Sequence, residues 1–209
     1  MHYGVKKYNY YGIIPVQHAT PHDIDTMINI PNILTLLRIL LIPIIVGVFY
    51  APIEQGNLIA CALFTLAAFT DWLDGYLARK LDQSTPFGAF LDPVADKITV
   101  AAALTMLVEV HATWWLTIPA IVIISREIVI SALREWMAEA GQRANIAVSY
   151  LGKIKTTAQM VAIILLLAFL PGEQYTWTGV LLLYVAATLT LWSMVSYLLA
   201  AWRTLKESE

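Results

Sequence analysis

Four aspartates raise the first chemical question. Asp71 and Asp74 stand three residues apart, and Asp92 and Asp96 stand four apart. On a helix either spacing puts both side chains on one face. Only 13% of the 209 residues are charged and 59% are hydrophobic, whereas a soluble domain normally carries about a quarter charged residues. A charged side chain deep in a bilayer costs on the order of 2.5–3.5 kcal/mol even on the mild insertion scale. Headgroup-level residues in contact with water would escape that cost. Four carboxylates gathered near one level would still repel unless protons or cations came between them. All-oxygen donors suit hard divalent cations such as Mg²⁺, Mn²⁺ or Ca²⁺. With no His or Cys close by in the sequence, zinc is disfavoured.

The elements that must position these residues follow from where charge is missing. Uncharged runs cover 39–53, 55–70, 110–125, 156–172 and 174–202. A membrane-spanning helix needs about 20 mostly apolar residues. Extended to include a flanking charge, the runs predict helices over 31–52, 56–81, 88–109, 113–139, 147–171 and 175–203. Turn chemistry separates them: Ala51-Pro52 before Gly56, Thr85-Pro86 before Gly88, Gly141, and Pro171-Gly172. Hydropathy marks the fifth and sixth most clearly. It marks the third least, because Asp92, Asp96 and Lys97 interrupt its start. The fold class expected is all-α, a polytopic membrane protein with six transmembrane helices. The short connection near 80–87 predicts that the second and third helices are antiparallel neighbours, so that the two carboxylate pairs face one another.

Lys6, Lys7, Arg79, Lys80, Arg143, Arg203 and Lys206 all fall on one topological side, and the loops 51–57, 109–114 and 171–177 hold no Lys or Arg. The positive-inside bias places both termini and the aspartate cluster in the cytoplasm. Trp114, Trp115, Tyr175 and Trp177 gather on the opposite side, where aromatic rings suit the membrane interface. Residues 1–26 read as a flexible cytoplasmic tail and 27–209 as the six-helix transmembrane catalytic domain. A net charge of −2 argues against nucleic acid as a partner, and the single Cys61 excludes an internal disulfide.

The aspartates belong to a longer pattern. Asp71, Asp74, Gly75, Ala78 and Arg79 are followed after eight residues by Gly88, then at three-residue gaps by Asp92 and Asp96. All eight positions and every gap resemble the signature of the CDP-alcohol phosphotransferase family. The resemblance implies a six-helix membrane fold, a homodimer, and an active site near the cytoplasmic face of the bacterial inner membrane. It implies that Asp71, Asp74, Asp92 and Asp96 bind divalent metal, two ions of Mg²⁺ or Mn²⁺, and that Asp96 is also the catalytic base. Gly75, Ala78, Arg79 and Gly88 would line the CDP site.

The signature does not name the acceptor alcohol. Arg126 lies in an otherwise apolar stretch, a costly place for a cation, and Arg134 follows eight positions later, about 80° around the helix. Lys153 and Lys155 open the fifth helix, about 200° apart, so one of them faces inward. Basic residues inside a bundle suit an acceptor that keeps its own phosphate, although pairing with Glu127 and Glu135 would also account for them. The segments 29–38, 125–135 and 151–156 resemble the branch of the family that makes phosphatidylglycerophosphate. This implies transfer of a phosphatidyl group from CDP-diacylglycerol to glycerol 3-phosphate. Asn32, Thr35 and Arg38 stand at the cytoplasmic mouth of the first helix, where Asn32 also reads as an N-cap. Another acceptor, serine or an inositol phosphate, and a cation-coupled transporter remain the competing expectations.

Overall fold

A computed structural model describes residues 29–80, 85–139 and 150–206. They form six helices: α1 Ile30–Tyr50, α2 Gly56–Lys80, α3 Pro86–His111, α4 Trp114–Glu139, α5 Tyr150–Ala168 and α6 Thr176–Lys206. The expected tail, residues 1–26, and the expected break at Gly141 lie outside the described residues.

The breaks have local causes. Gly56 opens α2 because a Cβ there would lie 2.8 Å from the Val48 carbonyl oxygen. Gly172, after α5, has φ +93°, a backbone that side-chain-bearing residues rarely adopt. The N-cap of α1 is Asn29, whose Oδ1 accepts the Asn32 backbone N–H at 2.9 Å. Asn32 is therefore not the cap expected of it, and its side chain turns inward instead.

Among the described residues, four segments are long and apolar enough to cross a membrane: Ile30–Tyr50, Gly56–Leu77, Trp114–Met137 and Thr176–Leu199. In α3 the Asp92, Asp96 and Lys97 charges break the run, as expected. Contrary to expectation, α5 does not stand out, because its apolar run is only Ile154–Ala168. The helix begins at Tyr150 and spends its first two turns on Lys153 and Lys155. Lipid-like surroundings also show in the burial pattern. Leu40, Phe90, Ile128, Leu181 and Trp192 face outward, while Ala60, Ala67, Ala95, Ala162 and Ala186 are fully buried. Small residues inside let helix backbones approach closely where no water drives association.

The helices close a ring. In order, α1 packs on α2, α2 on α5, α5 on α6, α6 on α4, α4 on α3, and α3 back on α1, while α3 also touches α5 across the middle. This corrects one expectation: α2 and α3 are not principal packing partners despite their short connection. Helix α1 packs against both. The carboxylates of α2 and α3 therefore meet through a third element.

Candidate active site

The face of α1 turned toward α3 carries Asn32, Thr35 and Arg38 at three-residue steps, one per turn. All three are buried, at 2%, 0% and 1% exposure. Each reaches across. The Asn32 Nδ2 donates to Thr85 Oγ1 at 3.0 Å. Thr35 Oγ1 donates to Asp92 Oδ1 at 2.6 Å. Arg38 Nη1 donates to Asp96 Oδ1 at 2.6 Å and also pairs with Asp71 Oδ1 on α2 at 2.5 Å. Thr85 is itself the N-cap of α3, accepting the Gly88 N–H at 3.0 Å, with Pro86 in the first turn. The ladder thus starts at the end of α3 and climbs to the aspartates.

Burial of Arg38 follows from this arrangement. A buried cation persists only when paired and hydrogen-bonded, and Asp71 and Asp96 supply the counter-charge. The carboxylates themselves stay open on their other side, with Asp71 35% and Asp96 48% exposed. Arg38 therefore lies behind the carboxylates, whose other edges remain accessible.

The two signature glycines differ in role. A Cβ on Gly88 would sit 2.4 Å from Asn32 Oδ1 and 3.2 Å from Thr85 Oγ1. Gly88 is thus needed for α1 and α3 to close on the ladder. A Cβ on Gly75 meets nothing within 4 Å, so that position borders open space. Gly88→Ala is expected to destabilise the fold by about 1–3 kcal/mol through overpacking. Gly75→Ala should keep or raise stability, since Gly in a helix costs about 1 kcal/mol relative to Ala. Thermal unfolding of the two variants in detergent checks this; equal melting temperatures would contradict it.

A second polar cluster joins α4, α5 and α6. Glu127 Oε1 accepts from Arg126 Nη1 at 2.9 Å and from Lys155 Nζ at 2.7 Å. Arg126 Nη2 donates to Ser193 Oγ at 3.2 Å, and its buried Nε has no hydrogen-bond partner. Arg134 Nη2 donates to Tyr197 Oη at 2.9 Å. The Tyr197 ring lies against both guanidinium groups, 5.8 Å from that of Arg126 and 5.1 Å from that of Arg134. Arg126 and Lys155 are buried, so Lys155 is an inward-facing lysine of α5. The pairing with Glu127 is realised for both. It leaves Arg126, Arg134 and Lys155 with two positive charges in excess of Glu127. Ser193 and Tyr197 escaped the sequence reading because α6 looks like a plain apolar span; only the packing of α4 on α6 brings them to the arginines.

The side chains of Asp74, Ala78, Arg79 and Lys153 lie outside the described residues. Among the described residues no three His, Cys, Asp or Glu side chains converge on a common point that could hold a metal ion. The donor chemistry of Asp71, Asp92 and Asp96, all carboxylate oxygen, nevertheless fits a hard divalent cation.

The described geometry is a six-helix membrane protein with a carboxylate cluster at one end, and a family model agrees with it. The model described as CDP-alcohol phosphatidyltransferase matches residues 28–197, and the chain belongs to that family. Three similar curated proteins carry one name. Proteins of Escherichia coli (strain K12), Salmonella typhimurium (strain LT2) and Shigella flexneri serotype 5b are called CDP-diacylglycerol--glycerol-3-phosphate 3-phosphatidyltransferase. Each is 56% identical to this chain over 173 residues, covering 83% of the chain and 94% of the relative. Members of this family generally depend on divalent metal. Membership takes the place of the ion-transport reading.

Proposed function

We propose that this protein transfers the phosphatidyl group of CDP-diacylglycerol to sn-glycerol 3-phosphate, giving phosphatidylglycerophosphate and CMP on the way to phosphatidylglycerol and cardiolipin. The observation that carries the reading is the family's eight-position carboxylate signature in a chain 56% identical to proteins of that name. The domain is 27–209, with 1–26 a cytoplasmic tail, in the bacterial inner membrane. Both termini and the site face the cytoplasm. A homodimer rests on the resemblance and is open to a mass measurement in detergent.

Asp71, Asp74, Asp92 and Asp96 would hold two divalent ions, Mg²⁺ or Mn²⁺. Metal bound there would supply charge neutralisation for the pyrophosphate oxygens and for the departing CMP. The chain's own residues do the rest. Gly75 leaves room beside the cluster for the nucleotide, which Ala78 and Arg79 border, while Gly88 lets α1 seat against α3. Asp96 takes the proton of the acceptor hydroxyl as that oxygen attacks phosphorus. Arg126, Arg134, Lys153 and Lys155 hold the acceptor's phosphate, with Glu127 keeping the buried cations in place. Catalysis is then mostly positioning and electrostatic stabilisation.

The test is an acceptor panel with labelled CDP-diacylglycerol and purified protein. Glycerol 3-phosphate is expected to give product, and serine and inositol phosphate to give none. Chelation is expected to abolish turnover until Mg²⁺ or Mn²⁺ is restored. Product from serine alone would move the chain to another acceptor, and activity undiminished by chelator would overturn the metal reading.

A further inference from the structure

The metal-bearing carboxylates sit on two helices that are not principal packing partners, yet their geometry must be held closely for a hard cation. We infer that the buried α1 ladder, Asn32–Thr35–Arg38, is the positioning frame for the carboxylate site, and that Arg38 is its principal positioning residue. The inference rests on the reading of Asp71, Asp92 and Asp96 as metal ligands.

Three observations carry it. First, each rung ends on α3 or on a signature carboxylate: Thr85, then Asp92, then Asp96 together with Asp71. Second, a single nitrogen, Nη1 of Arg38, bonds both Asp71 on α2 and Asp96 on α3. It therefore sets the spacing between two helices that α1 separates. Third, the exposures divide the labour. Arg38 is 1% exposed while Asp71 and Asp96 are 35% and 48% exposed. The guanidinium supports the carboxylates from the protein side, and their other edges remain for a ligand from water.

Without the frame, Asp71 and Asp96 would face each other as like charges. The pair would splay apart by repulsion, an arrangement that receives a divalent ion poorly. Outer partners of metal ligands act in this way elsewhere, and their loss typically costs about 10–100-fold in metal affinity or activity.

Arg38 has a second, opposing effect, since its positive charge repels an incoming cation. The test therefore holds charge constant. Thr35→Val keeps the side chain's shape and removes the hydroxyl that bonds Asp92 at 2.6 Å and lies 3.2 Å from the Pro31 carbonyl oxygen. Arg38→Lys keeps the charge, but a lysine stem stops short of the terminal guanidinium nitrogen and ends in a point charge. The measurement is Mn²⁺ binding to the full-length protein in detergent without substrate, followed by electron paramagnetic resonance. Both variants are expected to bind Mn²⁺ about 10–100-fold more weakly than wild type. Raising Mn²⁺ in the assay should recover most of the lost rate, with KM for CDP-diacylglycerol unchanged. A general folding defect would not be recovered by metal.

Thr35→Val changes a buried side chain by one atom and keeps the test open should Arg38→Lys fail to fold. Folded variants that bind Mn²⁺ as tightly as wild type, or more tightly, would overturn the inference while leaving the metal reading intact. Wild-type protein that binds no Mn²⁺ would overturn both.

Discussion

Asp96→Asn is expected to lower the transfer rate by about 10²–10⁴-fold, the usual worth of a positioned general base. Asparagine keeps the shape and can still accept from Arg38 Nη1, which bonds Asp96 Oδ1 at 2.6 Å. What it loses is the ability to take a proton and the full negative charge. The expected signature is a fall in kcat that excess Mg²⁺ does not repair. This separates Asp96 from Thr35 and Arg38, whose variants should respond to metal. The comparison has an internal control in Asp92→Asn, because Asp92 accepts from Thr35 at 2.6 Å and has no base role in the proposed reaction. Its loss should be met at least in part by raising the metal concentration. Single-turnover rates with labelled CDP-diacylglycerol, at saturating glycerol 3-phosphate and a series of Mn²⁺ concentrations, check both. An Asp96→Asn variant whose rate returns with metal would remove the base assignment and leave Asp96 as a ligand only.

The helices were largely legible in the sequence, and the reason is local. Thr85-Pro86, Ala51-Pro52 with Gly56, and Pro171-Gly172 are turn and cap chemistry that acts within a few residues, so helix limits follow within about three residues. The aspartate pattern was legible for the same reason, as spacing along a helix fixes a face. What the sequence did not show is who stands beside whom. A short α2–α3 connection suggested neighbours, but six helices closing a ring can place α1 against both. Arg38 looked like a residue at the membrane mouth. It is buried because two carboxylates, 33 and 58 positions away, provide its counter-charge. Asn32 could cap α1 by type, yet Asn29 does so, freeing Asn32 for Thr85. Ser193 and Tyr197 carry no local signal at all, since a serine and a tyrosine in an apolar run are ordinary.

The basic cluster gives the second large effect. Arg126→Gln is expected to raise KM for glycerol 3-phosphate by about 10–150-fold, corresponding to the 1.5–3 kcal/mol of a charge-assisted hydrogen bond. KM for CDP-diacylglycerol should stay close to wild type. The argument turns on how the charges are shared. Glu127 Oε1 accepts from both Arg126 and Lys155, so loss of Arg126 still leaves Glu127 paired and the bundle electrically tolerable. Charge remains in excess at Lys155 and Arg134, but the buried guanidinium of Arg126, whose Nε lacks a hydrogen-bond partner, is gone. The converse change is made at Glu127 itself. Glu127→Gln removes the carboxylate shared by two buried cations, so it should impair folding more than Arg126→Gln does, because unpaired buried charge is the costlier defect. Ser193→Ala removes one neutral partner of Arg126 at 3.2 Å and should raise the acceptor KM far less. If Arg126→Gln instead lowers kcat with both KM values unchanged, the cluster is a structural ion-pair network and the acceptor's phosphate binds elsewhere.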